Sequence, residues 1–151
     1  MTEAFGQYGR ASCLLRFSSF HKVQSMSQPT VAILGASTNR EKFGNISVRA
    51  HLQQGYTVYP INPRAEEIEG LTCYPNLASI PASHVDRISV YLPPALLVPV
   101  LEEISAISHD QLWLNPGTES EEVLRRAAQL ELNAIQGCSI VDLGISPSEV
   151  R

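Results

Sequence analysis

The sequence predicts an α/β fold, with a mostly parallel sheet of five or more strands and helices on both faces. Three observations carry that prediction. Short runs of β-branched and apolar residues alternate with stretches of helical period. The loops between them are short. The first run, Thr30-Val31-Ala32-Ile33-Leu34, ends at Gly35-Ala36-Ser37, and a polar loop then leads to Gly44 and a helical stretch. Alternation of this kind needs crossovers between parallel strands, and the crossing helices cover both faces.

The elements follow in order. Residues 44–54 carry Ile46, Val48, Ala50 and Leu52 ahead of Gly55, a helix stop. Tyr56 to Ile61 is a second strand, rich in aromatic and β-branched residues, closed by Asn62-Pro63-Arg64. Residues 70–74 form a short extended segment and 75–78 a turn of helix. Arg87 to Tyr91 is the next strand, closed by Leu92-Pro93-Pro94. Leu97, Val100, Leu101 and Ile104 then give the stripe of a helix docked on a sheet. If that helix begins near Ala95, Pro99 falls in its first turn, where no intrahelical bond is lost. Residues 111–114 make a strand around a core Trp113, ending in Asn115-Pro116-Gly117. Thr118 and Glu121 have the spacing of a capping box, and Val123, Leu124, Ala127 and Ala128 make the face of the helix it opens. Residues 134–136, before Gly137-Cys138, are the last strand. The set is a Rossmann-like three-layer sandwich, whose ligands bind beyond the carboxyl ends of the strands.

Composition narrows the class. With 151 residues, 44% hydrophobic and 17% charged, the chain fits one ordinary globular domain. A net charge of −4 argues against nucleic acid or an anionic membrane surface as partner. No apolar run is long enough to span a bilayer. Cys13, Cys73 and Cys138 lack metal-ligand spacing, and an odd count suits a reducing cytoplasm. The four histidines are scattered, so no metal site is expected. Residues 1–28 have no periodicity and a net charge of +2. They read as a disordered or non-native extension, with translation starting at Met26, or else as a basic targeting segment or an ordered arm. Function is placed in residues 29–151.

The strand ends hold the candidate chemistry. A dinucleotide turn has glycines two and five positions after the first, where this chain has Ser37 and Arg40. A hydroxyl and a guanidinium there, with Lys42 at the helix start, suit a phosphate-bearing ligand rather than an ordinary nicotinamide or flavin. The second strand ends in Asn62-Pro63-Arg64 in place of an acidic residue. That suits a ribose carrying phosphate, such as the 3′-phosphate of coenzyme A (CoA) or the 2′-phosphate of NADP. Each of these cations has a plain alternative as a solvated loop charge. Cys138 could form a mixed disulfide with a ligand thiol or simply pack. Glu66, Glu67 and Glu69 read as solvated surface. No phosphate loop with Lys-Ser/Thr, no nucleophile elbow and no nucleophile–base pair is legible, which leaves enzymatic activity undecided and leaning against.

The segments VAILGAS, GYTVYPINP, EIEG, VDRISVY, WLNPGT and the late glycine–cysteine together resemble the stand-alone CoA-binding domain family. That family is similar to the N-terminal domain of the succinyl-CoA ligase alpha subunit. The resemblance covers about residues 30–140. It implies a module that binds CoA or an acyl-CoA through Gly35, Ala36, Ser37, Arg40 and Lys42, through Asn62, Pro63 and Arg64, and through Tyr91, Pro93 and Gly117. Cys138 matches a cysteine at the end of the last strand. The full ligase needs a second domain with a phosphorylated histidine and a partner subunit. After Cys138 the chain departs from the pattern, with Asp142-Leu143-Gly144 in place of a basic or histidine-bearing tail. A monomer or small homo-oligomer is expected, with room for a protein partner. The alternative reading is an NADP-dependent oxidoreductase or nucleotide-sensing redox regulator using the same glycine turn.

A chain starting at Met26 is expected to melt within about 3 °C of the full chain, because a larger loss would correspond to roughly 1 kcal/mol for a domain of this size. Thermal unfolding of the two chains checks this.

Overall fold

A computed structural model describes residues 27–150. The start at Met26 and all but the last two residues of the expected extension, 1–28, lie outside the described residues. The elements are β1 (Thr30–Leu34), α1 (Phe43–Gln53), β2 (Thr57–Ile61), β3 (Glu67–Ile68), β4 (Leu71–Thr72) and β5 (His84–Val90). Then follow α2 (Pro94–Leu97), α3 (Leu101–Ala106), β6 (Ser108–Leu114), α4 (Glu121–Gln129), β7 (Ala134–Gln136), α5 (Ser139–Asp142) and α6 (Pro147–Val150). Five strands form one sheet in the order β2-β1-β5-β6-β7, every neighbouring pair parallel. The fold is an α/β Rossmann-like one. The chain runs from β1 to β2 on one side and returns to β5 on the other, so the strand order reverses between β1 and β5. No helix among the described residues is long and apolar enough to cross a membrane.

The two faces of the sheet differ in chemistry, because side chains alternate along each strand. Ala32, Leu34, Ile88, Val90, Leu112 and Leu114 face one way and join Leu97, Leu101, Ile104 and Val123 in one apolar core. On the other face Val31, Ile33 and Val58 pack with Val48 of α1. Farther along that face, polar Arg87, Ser89 and Trp113 take the inward positions of β5 and β6, with Ser89 in register with Ile33 and Trp113. The Arg87 guanidinium lies between two rings, 5.5 Å from the centroid of Tyr56 and 5.2 Å from that of Trp113. It donates to Asp142 at 2.7 Å, which ties α5 to the sheet.

Three expectations are corrected. The helix after β5 starts at Pro94, so Pro99 lies past its first turn and supplies no N–H for the ladder. The chain answers with α2, one 3-10 turn (Val98–Val100) and then α3, yet Leu97, Leu101 and Ile104 stay fully buried. Thr118 is not the N-cap of α4. Its hydroxyl donates to the Asn115 carbonyl at 2.8 Å, while Ser120 caps the helix by accepting from the Val123 N–H at 3.1 Å. Glu69 is not mere solvated surface, since it pairs with Arg40 and Asn45. Strands β5 and β6 also begin three residues earlier than their apolar cores suggest. Their first halves, with His84, Asp86, His109 and Asp110, lie at the polar amino end of the sheet, where hydrophobicity gives no signal.

His51, in the last turn of α1, is fully buried. Its Nδ1 lies 2.9 Å from the Ser47 carbonyl and its Nε2 3.5 Å from the Arg87 guanidinium. Burial lowers its pKa from the ordinary 6.5 to about 4, against the opposing bond to the Ser47 backbone. The unfolded chain therefore takes up a proton that the folded chain refuses. Above about pH 6.5 this costs nothing, and stability falls as the pH drops from there toward 4, by about 3 kcal/mol in all. His51→Gln is expected to remove this component, so the stability difference between wild type and variant should shift in the variant's favour across that window. Urea unfolding at a series of pH values checks it.

Candidate ligand-binding site

Two glycines bring the first helix against the first strand end. Gly35 has φ +87°, and a Cβ there would stand 2.9 Å from the Tyr91 backbone carbon. At Gly44, in the first turn of α1, a Cβ would lie 2.1 Å from the Gly35 carbonyl oxygen. Helix, turn and β5 terminus thus meet with no side chain between them. The Gly35 N–H donates to Ile61 and the Tyr91 N–H to Leu34, so three strand ends are pinned at one point.

The loop between Gly35 and α1 is held from outside. Asn45, fully buried, donates to the Ser37 carbonyl at 2.8 Å and to Glu69 at 3.0 Å, and accepts from Arg49 Nε at 2.7 Å. Glu69 also pairs with Arg40 at 3.3 Å, and Arg49 donates to the Arg40 carbonyl. The Ser37 hydroxyl accepts from the Asn39 N–H, which leaves its own proton to give. Asn62 spans the next gap. Its amide donates to the Ala36 carbonyl at 2.8 Å and its oxygen accepts the Arg64 N–H at 2.8 Å.

Above these ends lies a cavity of about 890 Å³, near the upper end of the range of about 300–1,000 Å³ usual for small-molecule sites. Gly35, Ala36, Ser37 and Lys42 line it, as do Asn62, Pro63, Tyr91, Pro93 and Gly117. Helix α1 opens toward it with no acidic residue in its first turn and no side-chain cap, and Lys42 stands at its N-cap. Beneath, Tyr91 rests on a buried polar cluster. Its hydroxyl lies 3.2 Å from Ser139, which is 2.7 Å from Ser89. Asn115 donates to Ser89 and the Val90 carbonyl and accepts from the Ser139 N–H. Burial pushes the Tyr91 phenol above its ordinary range, so its hydroxyl stays neutral within this cluster.

Three of the residues expected at the site stand off the cavity wall. Arg40 is exposed and engaged by Glu69. Arg64 is exposed on the rim beside Pro63. Cys138 packs with Ile46, Ala50 and Ile140 on the α1–α5 side. Other residues went unread in the sequence. Gly44 and Asn45 are the structural ones, and Glu41, Phe43, Asn76, Leu96 and Glu103 line the cavity. Gly44 had a signal, a glycine opening a helical stretch; Asn76 had none, because the crossover bringing it in is irregular, and Glu103 had none, because it is a charged position on α3 off the apolar stripe.

The comparisons with known proteins agree with this geometry. Residues 29–144 match the CoA binding domain family, and the chain belongs to it. It is 41% identical over 73 residues to an ADP-forming acetate–CoA ligase of Archaeoglobus fulgidus, which is 48% of this chain and 10% of that one. The chain spans about a tenth of the length of the curated relatives it matches. Among solved structures, a conserved hypothetical protein from Pyrococcus furiosus superposes with a TM-score of 0.68 at 34% identity, over 77% of this chain and 99% of that one. A dinucleotide-forming acetyl-coenzyme A synthetase from Ca. Korarchaeum cryptofilum gives 0.60 at 28% identity, over 74% and 26%.

Gly44→Ala is expected to destabilise the domain by about 1–3 kcal/mol, since the new methyl must push α1 off a backbone carbonyl that cannot move aside. Thermal unfolding reads the loss, and ligand binding should weaken with it.

Proposed function

We propose that the cavity binds coenzyme A, free or acylated, and that this chain acts as a binding module. The observation that carries the reading is the open N-terminus of α1, flanked by Lys42 and the Ser37 hydroxyl, at the point where strand order reverses. The positive end of a helix dipole and an adjacent cation favour a pyrophosphate. Adenosine would lie toward β2, whose end takes the ribose in such folds, and the pantetheine arm toward Tyr91 and Gly117. Arg64, on the rim next to Pro63, is suited to the 3′-phosphate. The Ser37 and Arg40 positions, where a nicotinamide site carries glycine, favour CoA over NADP. Free thiols at Cys73 and Cys138 suit a reducing cytoplasm.

Calorimetric titration at fixed salt with CoA, dephospho-CoA, NADP and NAD tests the reading. CoA is expected to bind, and dephospho-CoA to bind about tenfold or more weakly, the value of one charge-assisted contact. Arg64→Ala should erase most of that difference, and Lys42→Ala should weaken both ligands. Binding of NADP or NAD with none of CoA would overturn the proposal.

A further inference from the structure

The cavity lining includes two polar side chains, Asn76 and Glu103, that the CoA reading leaves without a role. Ile61, Pro63 and Pro75, from the end of β2 and the crossover after it, line the cavity together with Leu92, Leu96 and Val100, from the segment after β5. Leu96, Val100 and Glu103 are spaced by four and three residues, so they fall along one side of the α2–α3 segment, and Glu103 follows the apolar pair into the cavity lining. One Glu103 oxygen accepts from the Ala78 N–H at 3.1 Å. Asn76 also lines the cavity, and its oxygen accepts from the Ser79 N–H at 3.0 Å, capping the 3-10 turn Leu77–Ser79. These bonds fix both side chains. They leave the second Glu103 oxygen as an acceptor and the Asn76 amide nitrogen as a donor, neither with a hydrogen-bond partner among the described residues.

Apolar lining residues together with one acceptor and one donor match a purine that presents an amine beside a ring nitrogen. Adenine does this on both of its polar edges, with the N6 amine next to N1 or N7. Charge points the same way. A carboxylate repels phosphate, so Glu103 suits an uncharged, proton-donating group at its own position. We propose that Glu103 and Asn76 read the adenine base, Glu103 accepting from the N6 amine and Asn76 donating to the neighbouring ring nitrogen. This rests on the CoA reading of the cavity and adds to it the residues that set base specificity.

The test compares CoA with 1,N6-etheno-CoA, whose base has no N6 hydrogen to donate, on the full chain and on Glu103→Ala and Glu103→Gln. Wild type should bind CoA about tenfold or more tightly than the etheno analogue. Glu103→Ala should erase the preference by losing CoA affinity while etheno-CoA binding stays unchanged. Glu103→Gln retains an oxygen for the Ala78 N–H and turns its amine toward the base, so it should also lose CoA affinity selectively, even if the alanine variant fails to fold. Equal wild-type binding of the two ligands overturns the inference while leaving the CoA reading standing. So does a parallel loss of both in the variants, or a gain for etheno-CoA with CoA unchanged. Absence of CoA binding to wild type removes the reading itself and the inference with it.

Discussion

The contact between Gly44 and the Gly35 carbonyl governs the rest of the site. A helix carrying any side chain at position 44 could not approach the turn, and the N–H groups of α1 would stand away from the strand ends. The same closeness sets the position of Asn45, one residue on. From there it reaches the Ser37 carbonyl and Glu69 and so fixes the loop. Asn62 does the corresponding work between β1 and β2, and Asn115 between β5, β6 and α5. At the ends of β1, β2 and β6 a short amide side chain replaces the backbone bonds that the sheet can no longer supply.

The polar face of the sheet extends this logic inward. Ser89, Asn115, Ser139 and Tyr91 form a connected cluster in which each member has a partner, and the Arg87–Asp142 pair closes it toward α5. Buried polar groups without partners would cost heavily; satisfied ones fix geometry. The apolar core on the opposite face supplies burial without directional demands. The sheet thus separates a face that holds the domain together from one that also holds the site's floor in place.

Much of this was legible from residue patterns. The alternation of strands and helices, the carboxyl-end clustering of Gly, Asn and Pro, and the Gly35 turn are local signals, and local signals survive folding. What was missed depends on distance in space. Thr118 looks like a cap because Glu121 follows it at the right spacing, but the Asn115 carbonyl, three residues back, claims its hydroxyl first. Pro99 looks harmless only if the helix starts late, and its start is set by Pro93 and Pro94. Arg40 carries the right charge at the right turn, yet Glu69, brought over by the β3–β4 hairpin, engages it. Asn76 and Glu103 come from segments with no periodicity in common, and only the crossover after β2 brings them together.

The bracing of the loop by Asn45 and Asn62 bears on kinetics as well as on shape. A turn whose carbonyls and amides are already committed to neighbours has few alternative conformations to give up when a ligand arrives, so little ordering entropy opposes association. Encounter then needs no rearrangement of this loop. Variants of the cavity wall would change mainly how long a ligand stays rather than how quickly it enters. On the CoA reading proposed above, a domain built this way would sample a fluctuating ligand pool rapidly and discriminate among its members by residence time.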